Sequence, residues 1–481
     1  MAKVVFIQLN EYELHGLESL AGELKRSGHQ VNLIIPFFEK TPLRKIMEFT
    51  PDLVGFPVAS AEREEALAWA KAIKARIRTL IIFGGVDPTF FPEIIADESV
   101  DLVLRGEAEQ SLVKLAEALD RKEDYCAIPN LWAKKEGKIF RNPVGPLMEN
   151  LEALSFPDKA IYFSRYPYFR KYPIKFFIAS RGCPFGCSYC ANQGLRELYP
   201  NRNFYLRFKS PEYLLEEIKA IISRYPGRTL GFNDDLFSYD RKWLEQFLPG
   251  YRKQVGIPFF CTGRIDLMTE ETARLLKEGG CYSLFYGLES ADADDRGRIL
   301  NRKMSDPEIE KGVEILRKHG IAVQSYNMFN YPGDTVEKGL KTLDYNCRLK
   351  NDFVVSSLFQ PFPGTSLARQ LEQEGRLKHP GQENGSRLSY FAFSPLRQKD
   401  TEKLENLHKL FLLGFHFRLM QKLLALLVRL PKNPLFDILF LLSFAIDYGR
   451  VHRLKWRETV RYNAIHIRTT YLRRRAREPR K

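Results

Sequence analysis

The stretch SRGCPFGCSYCANQ, beginning at Ser180, places Cys183, Cys187 and Cys190 within eight residues of a chain that has only seven cysteines. Three crowded thiolates point to metal, because soft sulfur suits zinc and iron. Structural zinc takes four ligands, usually from C-x2-C pairs, and neither a second cysteine pair nor a His-x3-His lies nearby. Iron–sulfur clusters are caged by cysteine thiolates, and three ligands leave one iron of a four-iron cluster open to a substrate or cofactor. The C-x3-C-x2-C spacing and the flanking Gly182 and Gly186 favour that chemistry over ordinary buried cysteines. Cys126, Cys261, Cys281 and Cys347 lie singly and read as core residues.

Such a loop needs a scaffold that aims its sulfurs into one space. Residues 1–135 alternate strand patterns (KVVFIQL, HQVNLIIPF, DLVGFPVA, TLIIFGGV, DLVLR) with helical ones (GLESLAGELKRSG, EREEALAWAKAIKARI, AEQSLVKLAEAL). This predicts an α/β fold opening with a doubly wound, Rossmann-like parallel sheet that binds ligands beyond the carboxyl ends of its strands. The loops there hold Asn10, Tyr12, His15, Ser60, Gly84, Gly85, Gly106 and Glu107. A Pro-containing stretch, 136–174, reads as a linker. From 175 to 385, six strand candidates (FFIASRGC, TLGFNDDLF, PFFCTGRI, YSLFYGLES, AVQSYNMFN, VVSSLFQPFPGT) are mostly separated by helical patterns. They predict a partial (β/α)6 TIM-like barrel, whose chemistry sits at the carboxyl ends of the strands. The cysteine loop follows the first of these strands and so falls on that face.

Residues 386–481 read as a basic, mostly helical region, with LHKLFLLGFHFRLMQKLLALLVRL as one amphipathic helix. Of the net charge of +15, residues 401–481 carry 18 Lys+Arg against 6 Asp+Glu, so the basic character belongs to the tail. An interfacial membrane helix, a helical cap on the barrel and a nucleic-acid contact are the three uses of such a tail. Its apolar content favours the first two over the third. With 44% hydrophobic residues the chain is globular, and no apolar run reaches the roughly 18 residues of a membrane span. Seven unevenly spread cysteines and no signal-like leader point to a reducing cytoplasm, with peripheral contact on the inner face of the membrane.

CPFGCSYC resembles the cluster loop of the radical S-adenosylmethionine (SAM) enzymes, in which an aromatic residue precedes the last cysteine, as Tyr189 does here. FNDDLF (Asp234, Asp235), GRIDLMTEE (Arg264), FYGLES (Gly287, Glu289), YPGDT (Pro332, Gly333) and PFPGT (Pro363, Gly364) resemble family patterns in the same order. PDLVGFPVAS, IIFGGVDPTFFPE and DLVLRGEAEQSLVKL look like the front domain of the family's cobalamin-binding branch, so the resemblance covers about residues 1–385. It implies a 4Fe–4S cluster on Cys183, Cys187 and Cys190 whose open iron chelates SAM, and one-electron cleavage of SAM to methionine and a 5′-deoxyadenosyl radical. It also implies cobalamin in the front domain and a low-potential donor such as a ferredoxin or flavodoxin. Tyr189, Gly287, Glu289, Pro332 and Gly333 would contact the SAM side. Asn10, Tyr12, Ser60, Gly84, Gly85, Gly106 and Glu107 would contact cobalamin. Arg264, Glu289, Asp234 and Asp235 are the catalytic candidates, with a buried ion pair or a helix cap as their structural alternatives. One departure stands out: where many cobalamin proteins have D-x-H-x-x-G, this loop reads Glu13-Leu14-His15-Gly16, so His15 reads as a surface-loop residue rather than a cobalt ligand.

The implied reaction is C-methylation of an unactivated carbon in a lipophilic, isoprenoid-like or lipid-like substrate. The deoxyadenosyl radical abstracts hydrogen and methylcobalamin supplies the methyl group. The same two-domain plan resembles the anaerobic porphyrin-ring cyclases, so radical cyclisation or oxidation without methyl transfer is the second expectation. A non-catalytic cobalamin or redox sensor is the third.

Overall fold

A computed structural model describes residues 1–377, 391 and 394–467. The front sheet takes β1 (Lys3–Ile7), β2 (Gln30–Ile34), β3 (Leu53–Pro57), β4 (Leu80–Gly84) and β5 (Leu102–Leu104), followed by β6 (Leu131–Lys135) and β7 (Lys138–Arg141). Its helices are α1 (His15–Arg26), α2 (Pro42–Phe49), α3 (Arg63–Lys74), the short α4 (Val86–Phe90) and α5 (Glu109–Arg121). Strand order is β2-β1-β3-β4-β5-β6-β7, parallel through β5. Residues on both faces of β1 are fully buried. Val4 packs in one core, while Val5 and Ile7 pack in the other. A parallel strand covered by helices on both sides must be apolar throughout. The chain leaves β1 in opposite directions to reach β2 and β3, so the topological switch point lies between the carboxyl ends of β1 and β3.

The stretch read as a linker begins inside this sheet. β6 and β7 pair antiparallel around Glu136 and Gly137, which have φ of 51° and 75°. Positive φ at both central residues defines the two-residue turn that matches strand twist. Farther on, α6 (Ala160–Phe163) and α7 (Pro167–Arg170) insert Tyr162, Phe163 and Phe169 into the front core, so this stretch is packed structure.

Six parallel strands then follow in the order β15-β14-β13-β12-β11-β8, as the sequence predicts. They are β8 (Ile174–Phe177), β11 (Thr229–Phe232), β12 (Phe259–Thr262), β13 (Cys281–Glu289), β14 (Ala322–Phe329) and β15 (Phe353–Leu358). Between β8 and β11 lie β9 (Ser180–Arg181), α8 (Ala191–Glu197), β10 (Arg207–Phe208) and α9 (Pro211–Arg224). Outer helices are α10 (Arg241–Gln254), α11 (Glu270–Gly279), α12 (Asp306–Lys318), α13 (Val336–Arg348) and α14 (Ser366–Gln373). Alternate strand residues Phe232, Phe259, Cys261, Leu284, Tyr286 and Leu288 pack in the core under these helices. Their neighbours Phe176, Phe260, Phe285, Gly287 and Glu289 therefore face the barrel interior.

The single amphipathic helix expected after residue 400 is two helices, α15 (Thr401–His416) and α16 (Arg418–Leu427), broken at Phe417 in an extended conformation. α16 folds back so closely that a Cβ on Gly414 would lie 2.4 Å from Leu424 Cδ1. α15 is buried along most of its length against α13 and β15, so it caps the barrel and has no free apolar face. α17 (Pro434–Val451) and α18 (Trp456–Ile467) complete the described chain. Among the described residues no helix is long and apolar enough to cross a membrane. The basic YLRRRAREPRK tail lies outside them.

Candidate active site

The cysteine loop connects β9 to α8 and starts at a forced bend. Gly182 has φ +88°, and a Cβ there would lie 2.1 Å from the Tyr205 carbonyl oxygen, so only glycine passes. The seven cysteines, Cys183, Cys187 and Cys190 among them, form no disulfide. Among the described residues, the group whose ligand atoms all lie within 4.8 Å of one another is Asp292, Asp294 and Asp295; the three thiols are spread wider. One tetrahedral zinc, with Zn–S near 2.3 Å, would draw sulfurs to about 3.8 Å. The wider triad suits a multi-iron cluster. Burial pushes the Cys183 thiol up to about 12 and raises Cys190 as well, with Asp235 adding to both. Binding a metal therefore has to displace protons here.

A distant segment pins the loop. Ser188 donates its backbone N–H to the Leu300 carbonyl (3.1 Å) and its hydroxyl to the Ile299 carbonyl (2.6 Å), and Asn301 Nδ2 donates to the Gly186 carbonyl (2.6 Å). Arg302 comes next. Its guanidinium donates to the Gly287 carbonyl (2.9 Å), to Tyr189 Oη (3.4 Å) and to Cys187 Sγ (3.7 Å). Tyr189 in turn donates to Glu289 Oε1 at 3.0 Å. Glu289 has φ +66°, and the β13–β14 register slips between Gly287 and Glu289. A bulge beside a site re-aims a side chain, and here it turns the carboxylate toward Tyr189. A Cβ on Gly287 would lie 2.3 Å from Glu289 Oε1, so this glycine makes the room. Burial raises the Glu289 carboxyl, against the pull of Arg302 and Tyr189.

Two catalytic candidates are committed to the protein itself. Arg264 forks onto Asp266 (2.9 and 2.8 Å), donates to the Lys303 carbonyl (3.1 Å) and lies 3.9 Å over the Phe185 ring at the tip of the cysteine loop. Asp234 accepts from the backbone N–H of Ala179 (3.1 Å) and from Ser180 through both its N–H and its hydroxyl (2.5 Å each). Both are buried, and Asp234 caps no helix: Asp240 caps α10. Asp235 is different, facing the thiols and hydrogen-bonding Asn192, whose amide also lies 3.8 Å from Cys190 Sγ. Pro332 and Gly333 occupy a turn fastened to residues 396–401, where the Gly333 N–H donates to Gln398 Oε1. Gly364 packs instead on Phe90 of the front domain, whose ring stands 2.1 Å from where its Cβ would be.

Burial pushes the Asp234 carboxyl up to about 6, although its three donors pull the other way. A carboxyl raised from its ordinary 3.9 or so stabilises the fold in full below about pH 4 and loses that contribution as pH rises through 6, roughly 3 kcal/mol in all. Denaturant titrations from pH 4 to 7 should show wild-type stability falling relative to Asp234→Asn across that window.

A second space, a cavity of about 590 Å³, opens at the carboxyl ends of the front sheet and reaches the barrel. Gly84, Gly85, Gly106 and Glu107 line it, with Phe6, Leu17, Leu104 and Leu112 as apolar walls. Gly85 has φ +100°, and a Cβ there would lie 2.8 Å from the Val58 carbonyl, so bare backbone forms this rim. Asn10, Tyr12 and Ser60 do not line the cavity. Asn10 donates to Glu62, the Tyr12 hydroxyl lies 3.0 Å from His466 Nδ1, and Ser60 opens a turn. His15, expected on a surface loop, does line it. Its Nδ1 lies 3.0 Å from Glu18, while its Nε2 is buried without a hydrogen-bond partner. Lys159 bonds Glu18 (2.8 and 2.9 Å) and Glu13 (3.3 Å) beneath this wall.

The two spaces share a residue that the motif reading passed over. Arg181, two positions before Cys183, donates to Glu109 (2.6 Å) and Ser19 (3.1 Å) and lies 3.6 Å from Glu107, while Arg207 grips Glu107 with two bonds. Arg181 stands inside the quoted cysteine stretch and was in that sense visible. Arg302 was not, being 115 positions from the cysteine it touches.

Family comparisons agree with this geometry. A radical SAM superfamily model matches residues 177–345 and a B12-binding domain model matches residues 9–116. This chain is a radical SAM enzyme with a B12-binding domain. Its cofactors are accordingly a 4Fe–4S cluster, SAM and cobalamin. An uncharacterized methyltransferase of Pyrococcus horikoshii is 27% identical over 73% of this chain and 77% of its own length. The hopanoid C-3 methylase of Methylococcus capsulatus is 28% identical over 75% of this chain and 68% of its own length. Among solved structures, the radical SAM methyltransferase TsrM of Kitasatospora setae, with cobalamin and a [4Fe-4S] cluster bound, superposes with a TM-score of 0.65 at 16% identity, covering 83% and 80% of the two chains. At that identity it speaks for the fold. The residues fit the groups: three undisulfided thiols with a cation against one of them can hold the cluster, and the glycine-rimmed cavity can take part of a corrin.

Proposed function

We propose that this radical SAM enzyme transfers a methyl group to an unactivated carbon of a lipophilic, isoprenoid-like substrate. The observation that carries the reading is the inner face of β13, where Phe285, Gly287 and Glu289 point the same way. Phe260 stacks on Phe285 (centroids 4.9 Å) beneath Val451, His452 and Tyr462, and Tyr326 beyond (6.1 Å), 38% exposed and paired with Gly287, leaves an open aromatic face next to Glu289 and the cysteine loop. An apolar molecule buried against Tyr326 gains roughly 25 cal/mol per Å². Similarity to a hopanoid methylase supports the lipid class.

In this reading Cys183, Cys187 and Cys190 hold the cluster, and Tyr189, Gly287, Glu289, Arg302 and Asp235 surround SAM. Asp234, Arg264, Pro332 and Gly333 position the loops, while Gly84, Gly85, Gly106 and Glu107 face cobalamin. The bound cofactors supply a 5′-deoxyadenosyl radical and a methyl group. The chain's own contribution is to orient carbon, radical source and methyl donor and to keep water out. A ferredoxin or flavodoxin class donor supplies electrons. A membrane-dissolved substrate carries with it a peripheral contact between the enzyme and the bilayer.

The test is anaerobic turnover with SAM labelled in its S-methyl group and a polycyclic isoprenoid. Label in the lipid product supports methylation. Product without label would replace this reading by radical cyclisation or oxidation, and absence of 5′-deoxyadenosine would replace it by a sensor.

A further inference from the structure

Helices α16 and α17 each bury one face against α15 and leave the opposite face bare. On α16, Leu419, Leu423 and Leu426 are between 42% and 72% exposed, while Leu424 packs inward beside Gly414. At about 100° per residue the three exposed leucines span about 60° and point roughly 130° away from Leu424. On α17, Leu435, Ile438, Leu442 and Ile446 are each more than half exposed. They span about 80°, while Phe436, Phe440 and Asp447 bury the far side. Isolated exposed apolar residues need no explanation, but seven, aligned on one face of each of two linked helices, mark an interaction surface.

Charge decides the partner. Lys422 sits on α16 about 40° from the nearest of its bare leucines and Arg418 about 80° from it, both on the same flank, and Arg429 follows in the turn with the exposed Leu430. Among the described residues none of these three cations has an acidic partner within 4.0 Å, whereas the nearby acids are taken. Asp437 pairs with Lys409, Asp447 with His416 and Glu458 with Arg228. Apolar side chains beside a strip of unpaired cations match the depth profile of a bilayer, acyl chains below and anionic headgroups at the rim. A two-fold self-association would bring the same cations against their own copies and is opposed by like charge.

We infer that the α16–α17 face docks on an anionic lipid surface. This deepens the membrane contact proposed above but stands on exposure and charge, so vesicle binding can succeed or fail whatever the product of turnover proves to be.

Flotation of the reconstituted full chain with phosphatidylcholine vesicles, with and without phosphatidylglycerol, is the experiment. Binding should require phosphatidylglycerol and weaken with salt. Leu423→Glu/Leu442→Glu should lower the partition coefficient at least about tenfold, as should Arg418→Gln/Lys422→Gln/Arg429→Gln, since each cation near the surface contributes on that scale. All five positions are solvent-facing, so circular dichroism melts should match wild type. No binding to either vesicle overturns the inference. So does equal binding by the leucine variant, or a concentration-dependent dimer that this variant converts to monomer.

Discussion

Replacing Cys183, Cys187 and Cys190 together by alanine is expected to abolish iron and sulfide binding and to stop reductive SAM cleavage, while corrin uptake continues. The separation follows from the geometry. The cavity walls come from the front sheet, α1, α5 and the 151–159 segment, and the barrel side contributes Phe177 to Arg181 ahead of the triad and Lys209, Tyr213 and Glu217 after it, with none of the three cysteines among them. Cofactors carry the hard chemistry, so loss of the cluster leaves only the uncatalysed rate, a fall of at least about 10⁶-fold, the low end of enzymatic acceleration. Iron, sulfide and cobalt analysis with quantified 5′-deoxyadenosine checks this. Corrin lost along with the iron would mean that the cysteine loop also builds the cobalamin site, and the two-space description would fail.

Arg302→Leu is expected to do nearly as much damage by a different route. The substitution leaves the Gly287 carbonyl without its 2.9 Å donor and Glu289 buried with no cation beside it. Stranding a buried acceptor costs about 1–3 kcal/mol, and breaking a buried charge arrangement about 3–5. The cost should appear as a lower denaturation midpoint of the apoprotein and as poor cluster retention, because Arg302 also touches Cys187 and Tyr189. Arg302→Lys keeps charge but not the fork and should fall between the two. If Arg302→Leu retains wild-type stability and iron, the guanidinium is a bystander and the anchoring falls to Ser188 and Asn301 alone.

The sequence by itself determined the α/β class and the six barrel strands, and it singled out the three thiols proposed for the cluster. Each is written in local residues: apolar runs such as KVVFI and FFCT, and thiols with three and two residues between them. It also determined that the region after residue 400 is basic and apolar. What it could not determine lies in contacts between distant residues. Periodicity gave LHKLFLLGFHFRLMQKLLALLVRL as one helix, because the break at the exposed Phe417 goes with a tertiary contact, Gly414 letting Leu424 and Leu343 close in. A motif does not show that Ser180 bonds Asp234, or that Asp266 and Phe185 flank Arg264. Asn10, Tyr12 and Ser60 shared the right sheet end, yet the cavity opens beside His15 and Gly106 instead. Arg302, and the partners of Arg181, became legible only when β13 and the front domain met the cysteine loop. A carboxylate or guanidinium is assigned by what stands within about 3 Å of it, and only the folded chain sets that distance.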